Sequence, residues 1–190
     1  MEEQLSNKIY RQLRTEILSR VIDERTILTE NEISQKFSVS KAPVRDALHL
    51  LCAQGYLISF PRKGYLIRTY SSAEIRKIQQ VRTHIERLSV MLAVQNASDE
   101  QINSLREYLK PQEQEVDPEK TYNYLFHLRL AEISGNEYLP EVLRELIHKI
   151  CIAWIDSRYD IESHRAIIDA LLERDEQKAL AALEYDLNHA

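Results

Sequence analysis

Only three glycines occur in 190 residues, at positions 55, 64 and 135, so the chain has few places to turn sharply. Glycine is the usual residue where a backbone reverses or turns left-handed. A chain this poor in it must be built from long regular elements. Apolar residues recur at three- and four-residue spacing, which predicts helices near 4–21, 30–37, 41–54, 72–96, 99–110, 118–134, 137–157, 161–173 and 176–188. Several starts carry signals: Thr29-x-x-Glu32, Ser71-x-x-Glu74 and Ser98-x-x-Gln101 have capping-box spacing, and Asp117-Pro118 sets a cap before a first-turn proline. The one departure from helix is at 56–69, where β-prone runs at 56–60 and 65–69 flank Pro61-Arg62-Lys63-Gly64, a hairpin signal. Residues 111–118 read as a loop. A composition shift at Tyr70-Ser71-Ser72 divides the chain into an N-terminal domain, 1–70, and an all-helical domain, 71–190.

Charge follows the same division. The net charge of -5 is unpromising for a nucleic-acid partner, but residues 1–70 hold 11 Lys and Arg against 8 Asp and Glu, and the remainder 14 against 22. Between 36 and 68, Asp46 is the single acid among six basic residues. Only the first third is suited to approach phosphates. No run reaches the ~18 apolar residues of a membrane span, and the start lacks the layout of a secretory signal. Cys52 and Cys151 match no metal or redox spacing and read as buried, reduced thiols of a cytoplasmic protein.

Three short helices and a β-hairpin form the winged helix-turn-helix layout. Its centre is Ser38-Val-Ser-Lys-Ala-Pro-Val-Arg-Asp-Ala-Leu, with Ser40 a natural N-cap and Pro43 in the tolerant first turn. Val44, Ala47, Leu48 and Leu51 make the buried face. Lys41, Arg45 and His49 follow one another at i, i+4 on another face, free to enter a major groove, and Arg62-Lys63-Gly64 puts two cations at the hairpin tip.

Ile33-Ser-Gln-Lys-Phe-Ser-Val-Ser-Lys-Ala-Pro-Val-Arg-Asp-Ala-Leu, Leu51-Cys-Ala-Gln-Gly-Tyr-Leu and Pro61-Arg-Lys-Gly closely resemble the N-terminal domain of GntR-family transcription regulators. Lys41 stands where that family usually has Arg, and Asp46 where it has Glu. The resemblance implies Asn31, Ser40, Lys41, Arg45, Arg62, Lys63 and Gly64 as DNA contacts, with His49 beside them on the helix face.

In the second domain, charged groups intrude on apolar stripes that a purely structural bundle keeps clear. The 72–96 helix has a stripe of Ile75, Ile78, Val81, Ile85, Leu88 and Leu92, with Arg82 on its margin. Asn123 and His127 share a face, His164 precedes Ile167 and Ile168, and Asp186 follows Ala182 and Leu183. Together they predict a polar cavity between facing helices. Two imidazoles and a carboxylate suit a divalent transition metal with open positions, and Arg82 offers a planar fork to a ligand carboxylate unless it simply pairs with Glu86.

Val81-Arg-x-x-Ile-Glu86, Phe126-His127, Ser134-Gly-Asn136 and His164-Arg-Ala-Ile-Ile-Asp-Ala-Leu-Leu-Glu-Arg-Asp175 resemble the FCD ligand-binding domain of the FadR/FCD subfamily. Metal-binding members use an Asp-x-x-x-His pair, a His opening the penultimate helix and another in the last helix. Here Asn123 stands at the Asp position, His127 and His164 match, and Asp186 occupies the last His position, with His189 a nearby alternative donor. Either a metal of the Zn, Ni or Mn class is held by two His and one carboxylate, or the site is metal-free. The resemblance further implies a small organic-acid effector met by Arg82 and Asn136, and a homodimer on near-palindromic operator DNA. It implies a metabolite-responsive repressor rather than an enzyme, for no separate acid/base constellation is present.

Overall fold

The computed structural model describes residues 4–111, 117–153 and 160–189. Helices α1 (Leu5–Leu18), α2 (Glu30–Phe37) and α3 (Lys41–Ala53) precede strands β1 (Leu57–Phe60) and β2 (Gly64–Ile67). Helices α4 (Ser72–Asn96), α5 (Asp99–Ser104), α6 (Tyr122–Ile133), α7 (Tyr138–Ile152), α8 (Ile161–Leu172) and α9 (Glu176–His189) follow. The chain divides into two compact units, Met1–Tyr70 and Ser71–Ala190.

The first unit is a winged helix-turn-helix. Ile9, Leu13 and Ile17 form the buried stripe of α1 against Val44, Ala47, Leu48 and Leu51 of α3. The two strands pair antiparallel with Leu57 opposite Ile67 and Phe60 opposite Gly64. Leu28 adds a bridge, exchanging both backbone hydrogen bonds with Tyr65 at 2.8 and 2.9 Å. Gly64 is dictated by that bridge: its φ is +128°, and a Cβ there would lie 2.4 Å from the Leu28 carbonyl oxygen. At the hairpin tip, Lys63 N–H donates to Phe60 C=O across Pro61 and Arg62. Arg62 carries the positive φ, +66°, that a type II turn needs at its third residue.

All three predicted capping boxes form, at Thr29, Ser71 and Ser98. Ser40 differs. Its backbone is extended, as an N-cap requires, but its side chain makes no capping bond. An N-cap hydroxyl accepts from the second or third helical N–H, and the third residue of α3 is Pro43, which has none. The predicted 118–134 helix is split. Pro118–Lys120 forms a 3-10 turn, and Thr121 then caps a new start by accepting from Tyr124 N–H. The predicted 99–110 helix likewise tightens to 3-10 at Leu105–Tyr108. Most of the predicted 111–118 loop, and the part of the predicted 137–157 helix beyond residue 153, lie outside the described residues. Both cysteines are half-buried rather than fully buried.

In the second unit α6 is enclosed on nearly all sides. Phe126, Leu130 and Ile133 join one apolar cluster with Val90, Ile167 and Leu183, while Tyr124, Leu128 and Ala131 join another with Leu139, Leu143 and Ile147. A helix buried all round must bring its polar residues inside with it, and α6 carries Asn123 and His127. The face that α4 buries overlaps the predicted stripe only in part: Ile75 is buried and Ile85 and Leu92 pack against the second cluster. Glu86, Ser89, Val90 and Ala93 are buried beside Ile75, whereas Val81 and Leu88 are 50% and 39% exposed. Among the described residues, no helix is long and apolar enough to cross a membrane.

Candidate functional site

On α3, the i, i+4 spacing leaves Lys41, Arg45 and His49 exposed while Val44, Ala47, Leu48 and Leu51 are buried. A groove of about 340 Å³ separates the start of α2 from the hairpin and is lined by Asn31, Arg62, Lys63 and Gly64 among others. Sequence reasoning missed Glu30, the first residue of α2. Its carboxylate accepts from Arg45 Nε at 2.9 Å and Nη2 at 2.8 Å, tying the groove wall to α3.

The second cluster is interior. Arg82 Nε donates to Glu86 Oε1 at 2.5 Å, the pairing left open at the sequence level. The other Glu86 oxygen lies 2.5 Å from His127 Nδ1. On the far side of that ring, Nε2 is 3.1 Å from Asp186 Oδ2, and Asp186 Oδ1 is 3.3 Å from His164 Nε2. Ser163 donates to the same Asp186 oxygen. Phe126 stacks on His164 at 3.8 Å between centroids, 6° from parallel, and fixes that imidazole plane. Glu86, His127, His164, Asp186, Ser163 and Asn123 are all buried.

Burial disfavours charge at every one of these groups, and the partners decide which keep it. Burial opposes ionisation of Glu86, but Arg82 and His127 hold its pKa down at about 2. Burial likewise opposes protonation of His127, yet the facing carboxylates of Glu86 and Asp186 raise its pKa to about 9. Asp186 stays ionised against burial because both imidazoles face it. Burial prevails at His164 and lowers its pKa, leaving a neutral ring.

His127, His164 and Asp186 offer donor atoms within 4.8 Å of one another. Metal bonds of ~2.0–2.1 Å in tetrahedral geometry set neighbouring donors ~3.3 Å apart, close to the 3.1 Å from Asp186 Oδ2 to His127 and the 3.3 Å from Asp186 Oδ1 to His164. Neither His127 nitrogen has hydrogen-bond alignment with its carboxylate, and the buried Asn123 Oδ1 has no hydrogen-bond partner among the described residues. Distance without alignment is what a shared central ligand leaves, so this donor set fits a divalent metal. Glu86 would then orient His127 from behind. Asn136 is elsewhere, in the α6–α7 connection. There its side chain accepts from Tyr138 N–H and lines an open groove with Leu92 and Asn96. The side chain of His189 lies outside the described residues.

Residues 5–67 match the family described as bacterial regulatory proteins, gntR family, and residues 77–189 match the FCD domain. The chain belongs to the GntR family of transcription regulators. It carries the helix-turn-helix of that family and an FCD domain, which is a ligand-binding domain. It is 30% identical over 168 residues to the Nta operon transcriptional regulator of Aminobacter aminovorans, covering 81% of this chain and 77% of that one. It is 25% identical over 194 residues to the gluconate operon transcriptional repressor of Bacillus licheniformis, covering 93% and 79%. Among solved structures, E. coli McbR/YncC superposes with a TM-score of 0.70 at 19% identity over 98% of this chain and 95% of that one. A GntR regulator from Rhodococcus sp. RHA1 gives 0.69 at 17% over 98% and 95%. At those identities the structural likeness speaks for the fold. This GntR regulator is therefore a DNA-binding transcription factor and not an enzyme.

Proposed function

We propose that this GntR regulator is a cytoplasmic, metabolite-responsive repressor whose 71–190 domain binds a small organic acid and pairs with a second copy. The buried array Arg82–Glu86–His127–Asp186–His164 carries the reading, because a structural bundle gains nothing from so many desolvated charges. As it stands, the array balances Glu86 and Asp186 against Arg82 and protonated His127. A divalent ion held by His127, His164 and Asp186, with Asn123 Oδ1 as a neutral fourth donor, would supply a Lewis-acid centre. His127 would give up its proton to bind it, leaving one uncompensated positive charge, which suits a monocarboxylate effector with Arg82 at hand. Gluconate, the acid in the name of a Bacillus relative, is a reasonable first probe.

At the operator, Lys41, Arg45 and His49 would enter the major groove. Asn31, Arg62, Lys63 and Gly64 would follow the neighbouring backbone, and the Ser40 hydroxyl, relieved of capping, would meet a phosphate. Val81 and Leu88 of α4, and Tyr138 and Val142 of α7, leave apolar surface exposed on two helices that pack together. A second copy covering it would match a near-palindromic operator.

The test is operator binding by the full chain, zinc-loaded or EDTA-stripped, with a panel of small carboxylates. One acid should weaken binding ~10-fold or more, and Arg82→Ala should abolish that response. No response to any acid in either metal state, or a response intact in Arg82→Ala, would refute the reading.

A further inference from the structure

Glu30 poses a question that DNA binding alone does not answer. It places a carboxylate beside Lys41, Arg45 and His49, on the surface that must approach a polyanion, and it is held there by both oxygens on Arg45. A guanidinium has five N–H groups in a fixed plane. Glu30 takes Nε–H and one hydrogen of Nη2, which leaves the opposite edge, Nη1 with the second Nη2 hydrogen, as another fork in the same plane. We infer that Glu30 is a positioning residue that presents the outer edge of Arg45 to O6 and N7 of a guanine, and so makes Arg45 a base reader rather than a phosphate anchor.

Three considerations favour the base over the phosphate. Phosphate affinity comes chiefly from net positive charge and the counterions it releases, and an ion-paired arginine contributes little of either. A guanine edge is recognised by two parallel hydrogen bonds at fixed spacing, which need geometry more than charge. Arginine also has much rotamer freedom to lose, and Glu30 removes it before DNA arrives. Ionisation of Glu30 is secured in turn, since the hydrogen bonds from Arg45 hold its pKa below the usual carboxylate range. Lys41 on the same helix and Arg62 and Lys63 on the hairpin remain as cations for the backbone.

This inference rests on the reading of α3 as the groove-entering helix. Selection from a randomised duplex library with the full chain, followed by shift titrations on the selected duplex, tests both. Wild type should select guanine at one fixed position per half-site with ~10-fold or greater preference. Arg45→Lys, which keeps charge but not the fork, should lose that preference while retaining its dependence on salt. Glu30→Gln and Glu30→Ala should keep or tighten binding to unselected DNA, reduce the guanine preference to within ~3-fold, and melt within ~2 °C of wild type, as removal of an exposed pair should. Unchanged guanine preference in both Glu30 variants would overturn the inference while leaving the helix reading intact. So would loss of preference accompanied by a large drop in melting temperature. Guanine preference surviving in Arg45→Lys, or no sequence selected by wild type, would overturn the helix reading and the inference with it.

Discussion

Replacing Glu86 by glutamine removes one buried negative charge at nearly constant volume. In metal-free protein, Arg82 and His127, each 2.5 Å from a Glu86 oxygen, both lose the facing negative charge, and one of them meets an amide NH2 in place of an oxygen. Breaking a buried ion pair by neutralising one member costs about 3–5 kcal/mol. The lower end applies here, because Arg82 retains some access to solvent and His127 can shed its proton instead of standing unpaired. For a protein of this size each kcal/mol moves Tm by ~2–4 °C, so Glu86→Gln should melt ~6–12 °C below wild type by circular dichroism in EDTA. The gap should depend on pH in a defined way. With its folded pKa lowered from 4.5 to about 2, Glu86 contributes stability that is fully present above pH 4.5 and lost as pH falls through about 2. With its pKa raised from 6.5 to about 9, His127 contributes stability present below pH 6.5 and lost as pH rises through about 9. The wild-type advantage should therefore be widest between pH 4.5 and 6.5. A gap under ~1 °C in that window, or one that grows toward pH 10, would refute the network.

Asn123→Asp should raise zinc affinity by at least ~10-fold in competition with a chelating dye, through added ligand charge. The same change should lower Tm in EDTA, because it adds a buried carboxylate, one helical turn before His127, that no additional cation balances. Arg62→Gly relieves a left-handed backbone at a non-glycine residue and should gain up to ~1 kcal/mol in urea titration. It should also weaken DNA binding and reduce the salt slope by about one. Gly64→Ala forces a methyl group against the Leu28 carbonyl and should cost about 2 kcal/mol or more, read by thermal melting of the isolated change.

Local signals were legible in the sequence because a few neighbouring residues decide them. The boxes at Thr29, Ser71 and Ser98 depend on spacing alone, and all three form. Ser40 takes the N-cap position without a side-chain capping bond, and the chain also displays the local feature that removes one donor, Pro43. The stripe on α4 was harder. Large aliphatic residues mark a face that avoids water, but not whether the same chain or another copy covers it. The face buried within the unit is marked instead by small residues, Ser89 and Ala93, which let neighbouring helices approach closely. Glu86 lies three and seven residues before them, and that register is the signal by which its burial could have been found. His127, His164 and Asp186 stand out in the sequence because each interrupts an apolar face, and the structure brings their donor atoms together. Asn136 pairs with Arg82 as an effector contact on the motif resemblance alone, and its side chain accepts from Tyr138 N–H in the turn before α7.

The enclosure of α6 bears on how such a sensor responds. A surface helix can tilt by degrees, with water filling whatever gap opens, but α6 has no such slack: side chains at close to crystal density press on it from both apolar clusters. Whatever pulls on His127 must either leave that helix where it is or lift Phe126 and Leu128 out of opposite seats together. Interiors of this kind yield by jumping between packings rather than by stretching. The ligand site proposed around His127 would thus be mounted on a latch, and intermediate settings are the states its packing least allows.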